Sequence, residues 1–525
     1  MMFRHRRFLP AVAAACAAAL LLSACGGSNS DDTATGTSDA GDPVAGGSLN
    51  VLQMGEPRSL DPAALTNMWA FQPVLGNALY GTLLVNDVDT LDIEFKMATD
   101  FSTTDGGSAF TLKLRPDLKF TDGTPLDAAA VKFNWDRLRD PAVRSTTIRW
   151  AGLIADTQVS DPGTLTVTMK TPNPHFAQSI ISSGLNWIAS PAALQKGQAA
   201  FDENPVGAGP FTLTKWTRQD AIELEKNPGY WDAPKPYLDS MTIRTVSDAN
   251  QRINTITTGG ADLSSETNWS NLNKAEAAGY SYEVAPTGGG QFIGMNFARA
   301  PFNDERARRA VSLALDLDAI NTAVYNGNGE IPQTLFVEGS PFFSDIALKQ
   351  TDAEAAQKLF DELAAEGKPV SFTFLSYPTT ESKTLGEVVQ AQLSAFKNVE
   401  AKVDVVDYGA AAARSGARDF DMTISSAVIQ DPDNALWMAF HSDSAGNTLG
   451  IKDSELSAAL DAGRTGQTVD ERKAAYKTVQ ERLVELNPGI WYTRAVPAVM
   501  SGENVHGVTL FTLGSPLPEE IWVTE

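Results

Sequence analysis

The sequence predicts a large α/β protein, and two patterns carry that reading. Short runs alternate apolar with polar residues between Gly/Pro turns, and longer runs repeat apolar residues at helical spacing. The first pattern is clearest after the turn Gly207-Ala208-Gly209-Pro210, where glycine tolerates backbone angles that other residues avoid and proline fixes its own. Phe211 and Leu213 alternate with Thr212 and Thr214. Beyond a polar turn, Ile222 and Leu224 alternate with Glu223 and Glu225. This is a β-hairpin with one buried face. Asn227-Pro228-Gly229 then turns the chain into Tyr230 and Trp231, and a third short strand is expected at 241–244. The second pattern appears in Val131, Trp135 and Leu138, which fall on one helical stripe. The 525 residues suffice for two to four domains of about 150 residues each.

The first residues read as an address. Arg4, Arg6 and Arg7 give a positive start, residues 9–22 are rich in Ala and Leu, and Leu22-Ser23-Ala24-Cys25-Gly26 follows. The apolar run is shorter than the roughly 20 residues that span a bilayer, and it has the layout of a secretory signal. Its last residues resemble the bacterial lipobox, in which the cysteine becomes the lipidated first residue of the mature chain. Residues 1–24 are therefore expected to be a lipoprotein signal peptide, with lipidation at Cys25. Arg6-Arg7 lacks the spacer of a twin-arginine signal, so general secretion is expected. Residues 25–47, rich in Gly, Ser, Thr and Asp, read as a flexible tether. The expected location is extracytoplasmic, with the body held at the cell membrane by lipid on Cys25.

Cys16 and Cys25 are the chain's cysteines. Cys16 leaves with the signal, so the mature protein has no internal disulfide, and a core of this size needs none. No other run is apolar over about 18 residues, so no transmembrane helix is expected. The formal net charge is −23. Nucleic acid and anionic lipid surfaces need clustered Lys/Arg, so neither is an expected partner, and the acidity reads as solubility.

Ordered structure is expected from Ser48. Leu49, Val51 and Gln53 share one face of a short strand, and Pro57 to Pro62 turn the chain before Trp69 and Phe71. Phe110, Leu112 and Leu114 mark a strand, as do Leu165, Val167 and Met169. Asp127 caps the helix that buries Trp135. Residues 246–263 give a helix and its turn. Pro286-Thr287-Gly288-Gly289-Gly290 is expected to be flexible, and no Lys-Ser/Thr follows to make it a phosphate cradle. Asn303 or Asp304 caps a helix whose Ala307, Ala310, Val311, Ala314 and Leu315 form the buried stripe. Amphipathic helices are expected at 353–363, 385–396 and 469–486, the last with Tyr476, Val479 and Leu483 on one stripe and Asn487-Pro488-Gly489 to stop it. Strands are expected up to Asp407 and over 419–425, and Ile490-Trp491-Tyr492 begins the return.

In chain order the sequence contains SLDPA, LYGTLL, KLRPDLKFTDGTPLDAAAVKFNWDRLRDP, VGAGPFTLTKW, LEKNPGYWD, KPYLDSMTIR, GMNFARAPFNDERARRAVSLALD and the turn Asp431-Pro432-Asp433-Asn434. From about residue 48 to the C-terminus it resembles the extracellular solute-binding proteins of family 5, the peptide/nickel class that serves ABC importers. The resemblance implies an α/β, periplasmic-binding-protein-like fold (type II, cluster C). That fold is a two-lobe Venus flytrap with an extra inserted α/β domain. Lobe I is then 48–79 with 205–286 and 502–525, the inserted domain (lobe II) is 80–204, and lobe III is 287–501. The crossings fall near 285–292 and 494–502. Arg306, Arg308 and Arg309 fall on solvated and interlobe faces.

The function implied is capture of a peptide or similar small solute in the interlobe cleft and its delivery to an ABC permease with its ATPase, by a single copy of this chain. In peptide-binding relatives an Asp three residues before an acidic-Pro pair takes the ligand's free amino group. The matching position here is Val428, which cannot pair with an ammonium, and an unpaired buried charge is costly. A peptide held by its free N-terminus is therefore not expected; Asp431 or Asp433 in a shifted loop is the alternative carboxylate, although both read first as turn formers. Nickel chelates, opines and sugars stay open beside peptides. Trp69, Trp437, Trp491 and Tyr492 join Val428 as candidate liners, because aromatics offer stacking area at little rotamer entropy.

Reactive constellations are missing. His175, His441 and His506 have no ligand-spaced partner, and there is no GxSxG elbow or GxxxxGK[ST] loop. Ser394 and Lys397 fit SxxK, but no SDN or KTG accompanies them. No catalytic residue, metal or cofactor is expected. The alternatives are an extracytoplasmic lipoprotein hydrolase, or a solute-binding fold used as a sensor or chaperone without a transport role.

Overall fold

Four strands begin the first sheet, and apolar rows run across all of them. Leu213 faces Leu224, Leu224 faces Met241, and Met241 faces Leu49 across the strands Phe211–Thr217, Ala221–Lys226, Ser240–Thr245 and Ser48–Gln53. A second row continues from Ile222 through Ile243 and Val51 to Leu263. Such cross-strand pairs fix register, because a slip of one residue would turn every apolar side chain outward. The strands Leu263–Glu266, Ala498–Ser501 and Ser281–Val284 complete seven. This is a computed structural model, and it describes residues 41–525 apart from 69, 70, 349 and 525. Cys25, the signal segment, tether residues up to 40 and Trp69 thus lie outside the described residues.

The inserted segment carries a four-stranded antiparallel sheet of Ala98–Ser102, Ala109–Leu114, Thr164–Met169 and Ile154–Asp161. Asp127 caps the helix Ala128–Leu138 by accepting from the Ala130 N–H. Trp135 on that helix is fully buried, with its indole N–H donated to the Leu185 carbonyl at 2.9 Å. The core of this segment is continuous with that of the first sheet.

A five-stranded sheet organises the rest: Val399–Val405, Val370–Ser376, Met422–Ile429, Gly288–Met295 and Gly489–Thr493 in spatial order. Helices pack on both faces, giving two separate cores. Asp304, not Asn303, caps the helix Glu305–Ala314. The helix Val469–Leu486 opens with a capping box between Thr468 and Glu471 and ends at Asn487 in the left-handed region. Among the described residues no helix is long and apolar enough to cross a membrane.

Four expectations need correction. Gly288–Gly290 do not form a loose crossing; they open a paired strand. Glycine is needed there for close approach, since a Cβ on Gly289 would sit 2.1 Å from the Ala427 carbonyl oxygen and one on Gly290 2.2 Å from that of Thr493. Ala498–Ser501 pairs within the first sheet, ahead of the boundary expected at 502. The strand expected at 419–425 runs over Met422–Ile429. Arg308 is buried and not on a solvated or interlobe face, and it donates to the carbonyls of Leu486 and Phe302. The Leu486 carbonyl ends a helix and has no partner within it, so the guanidinium supplies one.

The C-terminal tail packs back on the first core through Val505, Phe511, Leu517 and Ile521. It buries Glu519, whose Oε1 lies 3.5 Å from the Tyr230 hydroxyl while Oε2 has no partner. Burial pushes this carboxyl up to about 7 from its ordinary 4.5. Between those two values the native state holds a proton that the unfolded chain releases, so stability falls as pH rises through that window. Glu519→Gln is expected to raise the thermal midpoint at pH 8 and to leave it unchanged near pH 4. An equal difference at both pH values would contradict this.

Candidate functional site

A cavity of about 810 Å³ opens where the three parts of the chain meet. The inserted segment contributes Arg149 and Trp150 from the short helix Ile148–Ala151, with Leu153, Pro172 and Gln178 nearby. The strand Met422–Ile429 brings Ser425 and Val428, and the helix Pro432–Phe440 brings Asn434, Trp437 and Met438. Asp461 and Arg464 come from the helix Ser454–Thr465. Met68, Thr512 and Leu513 close the side formed by the first lobe.

The rim of the cavity is held by direct contacts between the inserted lobe and the third. Asn173 Nδ2 donates to Asp433 Oδ2 at 3.2 Å, and Asn434 Nδ2 to Ser179 Oγ at 2.9 Å. His175 Nε2 lies 2.7 Å from the Gly466 carbonyl oxygen. Burial, and then the Arg472 charge, pull the His175 pKa below its ordinary value, which keeps the ring neutral. Gln430 accepts from Asn86 at 3.2 Å and donates to the Thr512 carbonyl at 2.9 Å, tying all three parts together. The lobes are thus closed on one another around the cavity.

Two chain crossings join the first and third lobes, and they run side by side. The Ala285 N–H donates to the Pro497 carbonyl at 3.0 Å, and the Thr287 hydroxyl to the Ala495 carbonyl at 3.1 Å. A pair of short, mutually bonded crossings is the geometry of a hinge, because few torsions need change for the lobes to part.

The charges on the third-lobe wall are largely spent. Asp431 caps the helix Pro432–Phe440 and pairs with Arg472 at 2.8 Å. Asp433 pairs with Arg464 at 2.6 Å. Burial pushes the Asp433 carboxyl up against the pull of Arg464. Both aspartates hold the turn, and neither is free to take a ligand ammonium. Trp437 stacks on His441 with ring centroids 4.4 Å apart and donates its indole N–H to Asp461 at 3.0 Å. The Arg464 guanidinium lies 4.2 Å from the same ring. His441 Nδ1 accepts the Asp443 N–H at 3.1 Å, so the proton is on Nε2, 3.3 Å from Asp461.

Of the nominated liners, Val428 and Trp437 border the cavity. Trp491 and Tyr492 do not. They are neighbours on the strand Gly489–Thr493, so their side chains point to opposite faces, and both faces are covered. Trp491 packs against Phe292 at 4.6 Å in one core, and Tyr492 faces Tyr325 at 6.5 Å in the other, with its hydroxyl donated to Gln291. Arg149 and Trp150 were not legible as liners. They sit in a four-residue helix with no periodicity to mark a face.

A family model, bacterial extracellular solute-binding proteins, family 5 (middle), matches residues 92–447. The chain belongs to this family. Curated relatives include the glutathione-binding protein GsiB of Escherichia coli strain K12 and that of Shigella dysenteriae serotype 1. Each is 29% identical over 439 residues, covering 79% of this chain and 83% of the relative. Solved structures share the family 5 fold. AgaA of A. tumefaciens R10, in complex with agropinic acid, aligns with a TM-score of 0.75 at 24% identity, over 91% of this chain and 99% of its own. DppA of Helicobacter pylori, in complex with the peptide STSA, aligns with a TM-score of 0.76 at 23% identity, over 92% and 99%. The expected two-lobe, periplasmic-binding-protein-like architecture is therefore the one this chain has.

Proposed function

We propose that the mature chain is the solute-binding component of an ABC importer, held at the outer face of the membrane by lipid on Cys25. The observation that carries this reading is the cavity enclosed between hinged lobes. A solute that makes contacts on both lobes favours the closed form by those extra contacts alone, and closure then presents one shape to a permease. The wall mixes apolar area from Met68, Trp150, Leu153 and Met438 with polar groups, as small-solute sites do. The names of the relatives point to a small peptide-like or opine-like solute. A hydrolase would need a nucleophile beside a free base. Among the described wall residues, both nitrogens of His441 are engaged.

Binding is tested by thermal unfolding of the mature protein with S-methylglutathione, short peptides, opines, sugars and metal chelates. A binder gains about 2.7 kcal/mol at a hundredfold excess over its dissociation constant. A shift with one class supports the reading, and turnover of that solute would contradict it. Anchoring is tested separately. Cys25→Ala is expected to move the protein from the membrane fraction to the soluble one with no change in thermal midpoint, whereas a variant that stays with the membrane would refute the lipid anchor.

A further inference from the structure

The tip of a C-terminal hairpin sits where the cavity, a crossing and all three lobes meet. Leu510–Phe511 pairs with Ser515–Pro516, and Asn77 anchors the base by donating to Ser515 Oγ at 3.0 Å and to the Pro516 carbonyl at 2.8 Å. The loop between is Thr512, Leu513 and Gly514. A loop of three residues commonly turns on a left-handed residue in last place, and Gly514, at φ 76°, fills that role. Thr512 is left-handed too, at φ 43°, and buried. The hairpin does not demand this of its first loop residue, and for a β-branched side chain it is a strained conformation. Such strain persists only where the surroundings over-determine it, and two neighbours do so. Asn86 Oδ1 accepts the Thr512 N–H at 2.8 Å, and Gln430 Nε2 donates to the Thr512 carbonyl at 2.9 Å. Asn86 Nδ2 donates in turn to Gln430 Oε1 at 3.2 Å, which closes a ring of three residues from three lobes. The tip also lies on the second crossing. A Cβ on Gly514 would be 3.0 Å from Pro497 Cβ and 3.1 Å from the Pro497 carbonyl oxygen, the one that takes the Ala285 N–H of the first crossing. Thr512 and Leu513 border the cavity as well.

We propose that Thr512 and Gln430 are positioning residues that set how readily the lobes close. This rests on the solute-binding reading above and concerns the closing step of the same site. Gln430 belongs to the third lobe, so it leaves the Thr512 carbonyl when that lobe swings away. Asn86 alone then holds the tip, and Thr512 returns to ordinary backbone angles. Closure must force Thr512 into the left-handed region, which opposes closure. It also forms the two hydrogen bonds of Gln430, which favour it. The two effects are of similar size, so the empty protein is poised, and the contacts a solute makes on both lobes decide the outcome. A tip that only braced the fold would make substitutions at Thr512 and Gln430 act in the same direction. A strained latch makes them act in opposite directions.

The test needs no solute. In the mature protein carrying Ser179→Cys and Asn434→Cys, whose side chains meet across the rim, oxidation to a disulfide runs faster the larger the closed fraction. With Ser179→Cys alone, alkylation by iodoacetamide runs faster the larger the open fraction, because Ser179 is 1% exposed in the closed form. One of the two rates responds whichever form prevails. Gln430→Met should slow oxidation or speed alkylation by at least about threefold, and Thr512→Gly should do the reverse by at least about fivefold. Thr512→Asn, which also tolerates left-handed backbone, should act in the same direction as Thr512→Gly and serves in its place if the glycine variant folds poorly. Changes of one sign in both positions, or no change in either rate, overturn the proposal while the solute-binding reading stands. If the Ser179→Cys thiol is never alkylated below the unfolding transition, the lobes do not part and both fall.

Discussion

Arg252→Ala is expected to cost about 3–5 kcal/mol of stability, the range for breaking a buried ion pair by removing one partner. Arg252 is 1% exposed and Glu266 0%. The guanidinium lies 3.2 Å from Glu266 Oε1 and also donates to the carbonyls of Val246 and Ser247. Glu266 takes further hydrogen bonds from the Thr267 N–H and from Asn271, but these are neutral donors. Without Arg252 the carboxylate stays buried with no opposite charge, and two carbonyls lose a donor. Against a total stability of about 5–15 kcal/mol this is a large fraction. Urea unfolding measures it. A paired replacement, Arg252→Met with Glu266→Leu, should cost less than the single change, because no charge is left behind. A single variant within about 1 kcal/mol of wild type would show that water or a shifted side chain compensates.

Arg472→Ala is expected to be comparably severe, again about 3–5 kcal/mol, and it acts on the cavity wall. Arg472 is the charge partner of Asp431, and its Nε donates to the Gly463 carbonyl at 3.1 Å. It also lies 4.8 Å from the Phe342 ring, so its stem fills space in the third-lobe core. The freed Asp431 carboxylate would add a further unpaired acceptor to the wall. The variant should therefore lose stability in urea and, at the same time, bind cationic solutes more tightly than the wild type. Unaltered stability would mean that the helix N-terminus at Pro432 is sufficient partner for Asp431.

The elements that could be read in the sequence are those whose local pattern and tertiary role agree. The alternation at Phe211, Leu213, Ile222 and Leu224 becomes the apolar rows of the first sheet, because a one-sided strand needs just that periodicity. Asp127 and Asp304 cap their helices as short acceptors before an apolar stripe should. What could not be read depends on distant segments. Trp491 and Tyr492 read as candidate cleft liners, and the packing on both faces of their sheet shows them to be core. Gly288-Gly289-Gly290 reads as a flexible linker, yet the closeness of the Ala427 and Thr493 carbonyls is what requires it. Arg308 carries no local sign that a helix end almost two hundred residues away lacks a donor. Arg149 becomes a site residue because the inserted lobe folds over the third, which no spacing in one segment records.

Enclosure of a solute by closing lobes is tested most directly by locking them. Asn434 Nδ2 and Ser179 Oγ face each other across the rim at 2.9 Å, and beyond Cys25 the sequence has no cysteine. The double variant Ser179→Cys, Asn434→Cys can therefore be oxidised cleanly to a bridge between the lobes. With the bridge reduced, the solute that shifts the wild-type thermal midpoint should still shift this variant, and that shift is the reference, because Asn434 borders the cavity. With the bridge formed before solute is added, the shift should vanish, and with solute present during oxidation it should survive dialysis. Undiminished binding to the protein oxidised empty would contradict a ligand held between the lobes.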